Sequence, residues 1–307
     1  AHFEPGDRIL LAVSGGADSL LLAAATNLEA SKVGIQLNAL VVDHQLQNGS
    51  GEVALSAQKK LIELGITEAN VAQVLVNEDV GNGGLEAAAR RARYEALDAG
   101  ADRIGAVAIF LGHTEDDLAE TVLLGLARGS GTRSLSGMAH HNGIYVRPLL
   151  EITRDQNEMY CDEIKVQHWN DPHNENPDFS RVRVRNEALP VLEKSIGPGI
   201  AEALARSAHL LRDDADALDH WAKREEIHLD LSDLDCAHLE SLPRAIRTRV
   251  IRAAIYAAGA PAGMVTLEHV SAVEALISAW SGQGALNLPG GVKVERISGR
   301  LSLSQHR

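Results

Sequence analysis

Four apolar segments, Ile9–Val13, Leu37–Val42, Val71–Val76 and Ala106–Leu111, recur along the first part of the chain. Between them apolar residues fall at helical spacing over Ser19–Leu28, Glu52–Leu64 and Leu85–Leu97, with a further helix after His113. Near-continuous apolar strands alternating with helices predict a buried parallel sheet with helices on both faces. The alternation stops around Pro190. Ala201–Ile227 reads as one long acidic helix, and Arg244–Ala258 and Leu267–Trp280 as two more. The chain closes on Leu286–Leu288, Val292–Ile297 and Leu301–Leu303, separated by Pro289-Gly290-Gly291 and Ser298-Gly299, which predict a short terminal strand pair. The expected organisation is an α/β domain over 1–190, a helical connector over 191–228, and a smaller, mostly helical domain over 229–307 that ends in the strand pair.

In a parallel sheet ligands sit beyond the carboxyl ends of the strands, so the residues after each strand come next. The first strand runs into Ser14-Gly15-Gly16-Ala17-Asp18-Ser19 and then a helix. Such a turn offers backbone N–H groups and a helix N-terminus, which favour phosphate, and glycines let an anion approach the main chain. No Gly-Lys-Ser/Thr follows, and the adjacent glycines do not fit Gly-x-Gly-x-x-Gly, so neither the Walker loop nor the dinucleotide fingerprint applies. A glycine turn alone would suit any α/β protein. Asp18 argues for more, because a carboxylate beside phosphate is tolerable only with a divalent cation between them. After the second strand come Asp43 and His44, and after the fourth His113-Thr114-Glu115-Asp116-Asp117. Three polar clusters thus converge on one rim.

On the helix after Thr114, Asp117, Glu120 and Leu124 share one side, while Leu118, Val122 and Gly125 face the core. The acidic side meets no lysine or arginine before Arg128. In isolation it would be a solvated face placed near a helix N-terminus; beside a phosphate loop it predicts a site for a cation or an amine. His168 and His173 with Asp171 resemble metal ligands only weakly, being five apart in a Pro-containing turn. The arginines at 181, 183 and 185 do not share one helical face, so at least one serves something other than solvation.

Composition narrows the picture without redirecting it. The 307 residues are 45% hydrophobic and 23% charged, which is globular. No apolar run is long enough to span a bilayer and no secretory leader opens the sequence, so a cytoplasmic protein without a membrane partner is expected. The chain starts at Ala1, so an initiator methionine and a short leading segment are expected to precede it. The two cysteines, Cys161 and Cys236, form no Cys-x-x-Cys, which disfavours a zinc knuckle or a sulfur relay. The net charge of −13 counts against nucleic acid. Yet residues 202–235 carry ten acids against four bases, nearly half of that excess, while arginines cluster at Arg90, Arg91 and Arg93.

The loop Ser14–Ser19 resembles that of the N-type ATP pyrophosphatases, the PP-loop superfamily. Asp43-His44, Arg90 to Tyr94, His113 to Thr121, Arg128-Gly129-Ser130-Gly131, Gly137-Met138, Arg147-Pro148-Leu149-Leu150 and the stretch 169–185 extend the likeness. Together they resemble tRNA(Ile)-lysidine synthetases over roughly two thirds of the chain. Two positions depart from that pattern: Leu118 stands where the family usually has Gln, and Val182 where it usually has Asn. Leu118 is expected to alter packing rather than chemistry. A further C-terminal domain found in longer members is expected to be lacking.

The resemblance implies a PP-loop catalytic domain over 1–190 and a ligase. It would join free L-lysine to C2 of the wobble cytidine of tRNA(Ile) with a CAU anticodon, through an adenylated cytidine, changing AUG to AUA decoding. ATP and Mg²⁺ are the implied cofactors. ATP binding falls to Ser14, Gly15, Gly16, Ala17, Asp18, Ser19, Asp43, His44 and His113, with Asp18 as the metal ligand. Asp117, Glu120 and Arg185 are the catalytic and lysine-binding candidates, and Arg90, Arg91, Arg93, Arg128 and Arg133 the tRNA contacts. The alternatives are another PP-loop tRNA-modifying enzyme such as a thiolase, which would want paired cysteines, or an inactive ATP-binding regulator. The oligomeric state stays open, a homodimer among the choices.

Overall fold

A computed structural model describes residues 2–47, 49–76, 84–169 and 176–305, with only the backbone of Glu86. The first compact unit, residues 1–211, opens with β1 (Arg8–Val13), α1 (Ala17–Val33), β2 (Gln36–Asp43), α2 (Ser50–Glu63), β3 (Ala69–Gln73), α3 (Gly84–Ile104), β4 (Ala108–Leu111) and α4 (Glu115–Ala127). A short α5 (Thr132–Leu135), the hairpin β5 (His141–Asn142) and β6 (Tyr145–Val146), and α6 (Arg154–Glu163) follow. Next come α7 (Ser180–Arg183), a π-helical turn (Val184–Ala188), α8 (Leu189–Ile196) and α9 (Ile200–Glu226).

The sheet order is β3-β2-β1-β4-β6-β5, parallel except for β5. The continuous apolar run of β1 is the reason for its central place, since both its faces are buried. Ile9, Leu11 and Val13 pack with α1 and α2 through Leu20, Leu22, Ala57 and Leu61. Leu10 and Ala12 face the other way, onto Leu97 and Ala101 of α3. The chain moves outward from β1 through β2 to β3, then crosses back to β4 on the other side of β1. That reversal opens a crevice between the carboxyl ends of β1 and β4.

The second unit, residues 212–307, holds β7 (Asp233–Asp235), α10 (Cys236–Ser241), α11 (Arg244–Ala257), α12 (Leu267–Ser278), β8 (Leu286–Leu288), β9 (Val292–Ile297) and β10 (Arg300–Gln305). Its sheet runs β7-β10-β9-β8 and is antiparallel. The terminal pair is therefore part of a four-stranded sheet, to which the unforeseen three-residue β7 contributes an edge. Ser298 and Gly299 both take positive φ, +49° and +81°, which is the two-residue turn that suits strand twist. Ile246, Val250, Val273, Val292 and Leu301 form a core between its helices and sheet. The boundary between the units falls inside α9, within the segment 191–228 set apart on sequence. Among the described residues no helix is long and apolar enough to cross a membrane.

Candidate active site

The loop after β1 is built to leave its amides open. Gly15 takes φ +89°, and a Cβ there would lie 3.1 Å from the Cβ of Ala57. Gly16 caps α1 without any side-chain hydrogen bond, so the first N–H groups of the helix point outward unpartnered by a cap. Ser19, buried, donates to the Gly16 carbonyl at 3.0 Å and accepts from the Ser14 N–H at 3.2 Å, which fixes the loop's curl from within. Ala17 and Asp18 lie half-buried at the lip of this turn.

Across the crevice, Gly112 follows β4. A Cβ at that position would sit 3.1 Å from the backbone of Asp18 and from Ser19 Cα, so glycine lets the β4 loop close against the N-terminus of α1. His113 comes next. Arg147 donates its Nε–H to His113 Nδ1 at 3.3 Å, which makes Nδ1 an acceptor and leaves Nε2 as the N–H of the neutral ring. Burial pushes His113 down to about 3, helped by Arg93, Arg147 and Arg90 against the pull of Asp117.

Thr114 and Asp117 form a reciprocal capping box at the start of α4. One carboxylate oxygen of Asp117 accepts from the Thr114 N–H at 3.0 Å. The other faces Arg154 at 3.4 Å and Arg185 at 3.6 Å. Burial pushes the Asp117 carboxyl up, but Arg154, the Thr114 N–H and Arg185 oppose it, and the group is held below the usual range. Glu120 is fully buried. Its Oε1 accepts from Arg185 Nε at 2.6 Å and lies 3.7 Å from Arg154, while its Oε2 is buried with no hydrogen-bond partner. Burial dominates there, and the Glu120 carboxyl is raised despite Arg185. The expectation that this acidic face lacks a basic neighbour is thus corrected: the arginines arrive from α6 and from the π-helical turn, distant in sequence.

Helix α6 joins this cluster to the phosphate loop. Arg154 reaches Asp117 and Glu120, and one turn later Asn157 donates to Asp18 Oδ1 at 2.7 Å. Asn157 is fully buried, and its Oδ1 has no partner. Burial raises the Asp18 carboxyl, Asn157 opposes this, and the charge of Asp117 adds to it. The loop after β1 and the start of α4 are therefore one electrostatic site. Neither Arg154 nor Asn157 was singled out on sequence. Their signal was Thr153-Arg154-Asp155-Gln156, a capping-box pattern that starts α6 and places 154 and 157 on one face.

Asp43 and His44 sit beside the same loop, in a cleft walled by Ala12, Val13, Leu40, Val53 and Leu97 and rimmed by Gln45, Arg93 and Trp169. Asp43 is buried and accepts from the Gln45 N–H at 3.0 Å. Burial lowers His44, Arg93 adds to it, and its buried Nδ1 has no partner. The Trp169 N–H donates to the Gly15 carbonyl at 3.0 Å, closing the cleft against the loop.

The arginines divide. Arg90 and Arg91 are exposed on α3, Arg90 lying over the Tyr94 ring at 4.9 Å. Arg93, grouped with them on sequence, instead lines the cleft with His44; two residues beyond Arg91, it does not share that residue's face of α3. Arg128, at the far end of α4, and Arg133, on α5, are exposed; Arg128 is about 16 Å along the axis from Asp117. Arg181 reaches Thr121 at 3.5 Å and Arg185 reaches Glu120, while Arg183 binds the carbonyls of Pro177 and Asp178. The candidate ligands Asp171 and His173 lie outside the described residues.

Residues 2–192 match the PP-loop domain family, and residues 234–302 match the TilS substrate binding domain. A tRNA(Ile)-lysidine synthase of Streptomyces coelicolor is 50% identical over 302 residues, 97% of this chain and 85% of that protein. Its counterpart in Thermobifida fusca is 49% identical, over 97% of this chain and 92% of that protein. The chain belongs to the tRNA(Ile)-lysidine synthase family. In this family member Leu118 is fully buried with Val122, Leu150, Ala205 and Ala208, and Val182 is buried in α7, so both departures are packing residues.

The fold is also similar to that of the U34-tRNA thiolase NcsA from Methanococcus maripaludis with its [4Fe-4S] cluster, at a TM-score of 0.57 and 20% identity over 68% of this chain and 73% of that one. That likeness is one of fold. The lysidine-synthase family member has two cysteines in all, both buried and free, and burial pushes the Cys161 thiol up to about 11. Neither thiol is activated as a sulfur carrier.

Proposed function

We propose that this ATP-dependent ligase attaches the ε-amine of free L-lysine to C2 of the wobble cytidine in tRNA(Ile) with a CAU anticodon. In the first step the C2 carbonyl oxygen attacks the α-phosphorus of ATP and pyrophosphate leaves. In the second the amine attacks C2, the C–O bond to AMP breaks, and the amine gives up its proton. The observation that carries this reading is Glu120 Oε2, a buried acceptor with no protein donor. It stands beside Asp117, whose charge acts on it.

The outward N–H groups at the start of α1 bind the phosphates, and the apolar cleft beside them takes the nucleoside. His113, held neutral by burial and oriented by Arg147, offers its Nε2–H to charge developing at the α-phosphate. Asp18 would hold a Mg²⁺ ion, with Asn157 fixing its carboxylate; one carboxylate, a buried amide oxygen and substrate phosphates suit a hard cation. Such an ion supplies neutralisation of the leaving pyrophosphate.

Lysine attacks only as the neutral amine, and its unperturbed pKa is near 10.4. Asp117 is held low and stays ionised, which suits gripping an ammonium. Glu120 is raised by burial and is the stronger base of the two, which suits taking the proton. Arg185, bonded to Glu120 through Nε, has further N–H groups for the lysine carboxylate. The test is direct: incubate the chain with ATP, labelled lysine and the CAU-anticodon tRNA. Label in the RNA, dependent on ATP, is expected; ATP cleavage without label in the RNA would remove lysine as the acceptor.

A further inference from the structure

His140, Glu151 and His209 lie outside the crevice and take no part in the chemistry above. His140 immediately precedes β5 and faces Arg147 across the hairpin. The Arg147 N–H donates to the His140 carbonyl at 2.9 Å, and His140 Nδ1 meets the Arg147 carbonyl at 3.3 Å. A carbonyl only accepts, so Nδ1 carries a proton, and the Nε2 of the neutral ring is a bare lone pair. That Nε2 is buried and makes no hydrogen bond, yet Glu151 Oε1 is 3.3 Å away. Two acceptors face each other at that distance. His209, on α9, stacks its ring on that of His140 with centroids 5.7 Å apart. One ligand atom from each of the three residues falls within 4.8 Å of the others.

A second proton on His140 would also relieve the clash, as an imidazolium–carboxylate pair. Three features favour a shared cation instead. The Nδ1–H to carbonyl contact is the outer-shell bond that orients a metal-ligating histidine. The separation of Nε2 and Oε1 equals the edge of a tetrahedron whose metal–ligand bonds are about 2.0–2.1 Å. The third group is another imidazole, which an imidazolium does not need and a metal does. Behind the cluster, Leu150 packs with Ala205 and Ala208, so the neighbours of Glu151 and His209 are held together by a buried core.

We propose that His140, Glu151 and His209 form a binding site for a borderline divalent cation, Zn²⁺ foremost. Two imidazoles and one carboxylate suit zinc rather than magnesium, and leave a fourth position for water. Glu151 is largely exposed and free to swing inward to complete the set. The cation would clip the β5–β6 hairpin to α9. That hairpin carries Arg147, whose guanidinium orients His113, so the clip stiffens the support of the active site from behind.

The full chain, without a histidine tag and stripped of metal by a chelator, is titrated with Co²⁺ and then Zn²⁺ in the absence of ATP. One equivalent of Co²⁺ giving tetrahedral visible bands, displaced by Zn²⁺, is expected, with a rise in the thermal midpoint. His209→Ala and Glu151→Gln should each weaken binding at least tenfold and remove the rise, whereas His168→Ala should not. The exposed Glu151 side chain makes Glu151→Gln the variant least able to disturb the fold. Absence of saturable binding, or unchanged affinity in folded Glu151→Gln and His209→Ala, overturns the proposal and leaves the imidazolium–carboxylate pair.

Discussion

At the scale of single residues, the site rests on two carboxylates driven apart by their surroundings. Arginines and a helix amide hold Asp117 low, while burial raises Glu120. Glu120→Gln keeps the shape and the bond from Arg185 but removes the base. Lysine transfer should fall about 100-fold, with adenylation, read as tRNA-dependent pyrophosphate exchange, much less affected. Equal losses in both steps would give Glu120 an ATP or metal role. His113 supplies a pH signature. Its folded value of about 3 lies below the ordinary 6.5, so the folded chain binds fewer protons than the unfolded chain between them. This contribution is intact above pH 6.5 and is lost as pH falls, at no more than about 1.4 kcal/mol per unit. His113→Asn should therefore show a shallower fall of the thermal midpoint from pH 6.5 to 4.5 than the wild type. The raised Asp18 and Glu120 carboxyls act in the opposite sense, losing stability as pH rises, but they are common to both proteins. Parallel curves would mean that His113 is protonated in the fold.

At the scale of elements, the site depends on how closely the β4 loop approaches α1. Gly112 has no room for a side chain, because a Cβ would press on the Asp18 backbone at 3.1 Å. Gly112→Ala must shift one of the two by tenths of an ångström. About 1–3 kcal/mol of stability should be lost, and the rate more than tenfold, since the phosphate amides and His113 no longer converge. Gly131→Ala is the control, because a Cβ there meets nothing within 4 Å. Denaturation midpoints and pyrophosphate release measure both; equal behaviour of the two variants would show the approach to be unimportant.

At the scale of the whole molecule, the difficulty is an anionic protein, net charge −13, that acts on RNA. Exposed arginines must then supply local attraction while the remaining surface disfavours non-cognate RNA. Neutralising Arg90 and Arg91 together should lower the slope of log K against log salt by about 0.7–0.9 for each phosphate contact removed. Arg93→Gln should leave that slope alone and raise the KM for ATP instead, because Arg93 lines the cleft proposed for the nucleoside. Titrations of tRNA at several salt concentrations separate the two; a slope unaffected by the double variant would place the RNA surface elsewhere.

The amino-acid order by itself determined whatever depends on neighbours along the chain. The apolar run of β1, the glycines after it, the cap at Thr114 and the Ser298-Gly299 turn each follow from local sterics or periodicity, and with them the parallel sheet and the phosphate loop. The same order marked Asp18, Asp117, Glu120 and Arg185 by their place after strands and by family resemblance. Only the tertiary structure decided what those groups touch. Arg185 meets Glu120 across 65 positions, and Asn157 meets Asp18 across 139; no local pattern encodes such distances. Burial was equally invisible, since it depends on what packs from above: it raises Glu120, turns Arg93 into the cleft and brings His209 to His140. Charge state follows from burial, so the chemistry of the site became legible only once the helices had closed around it.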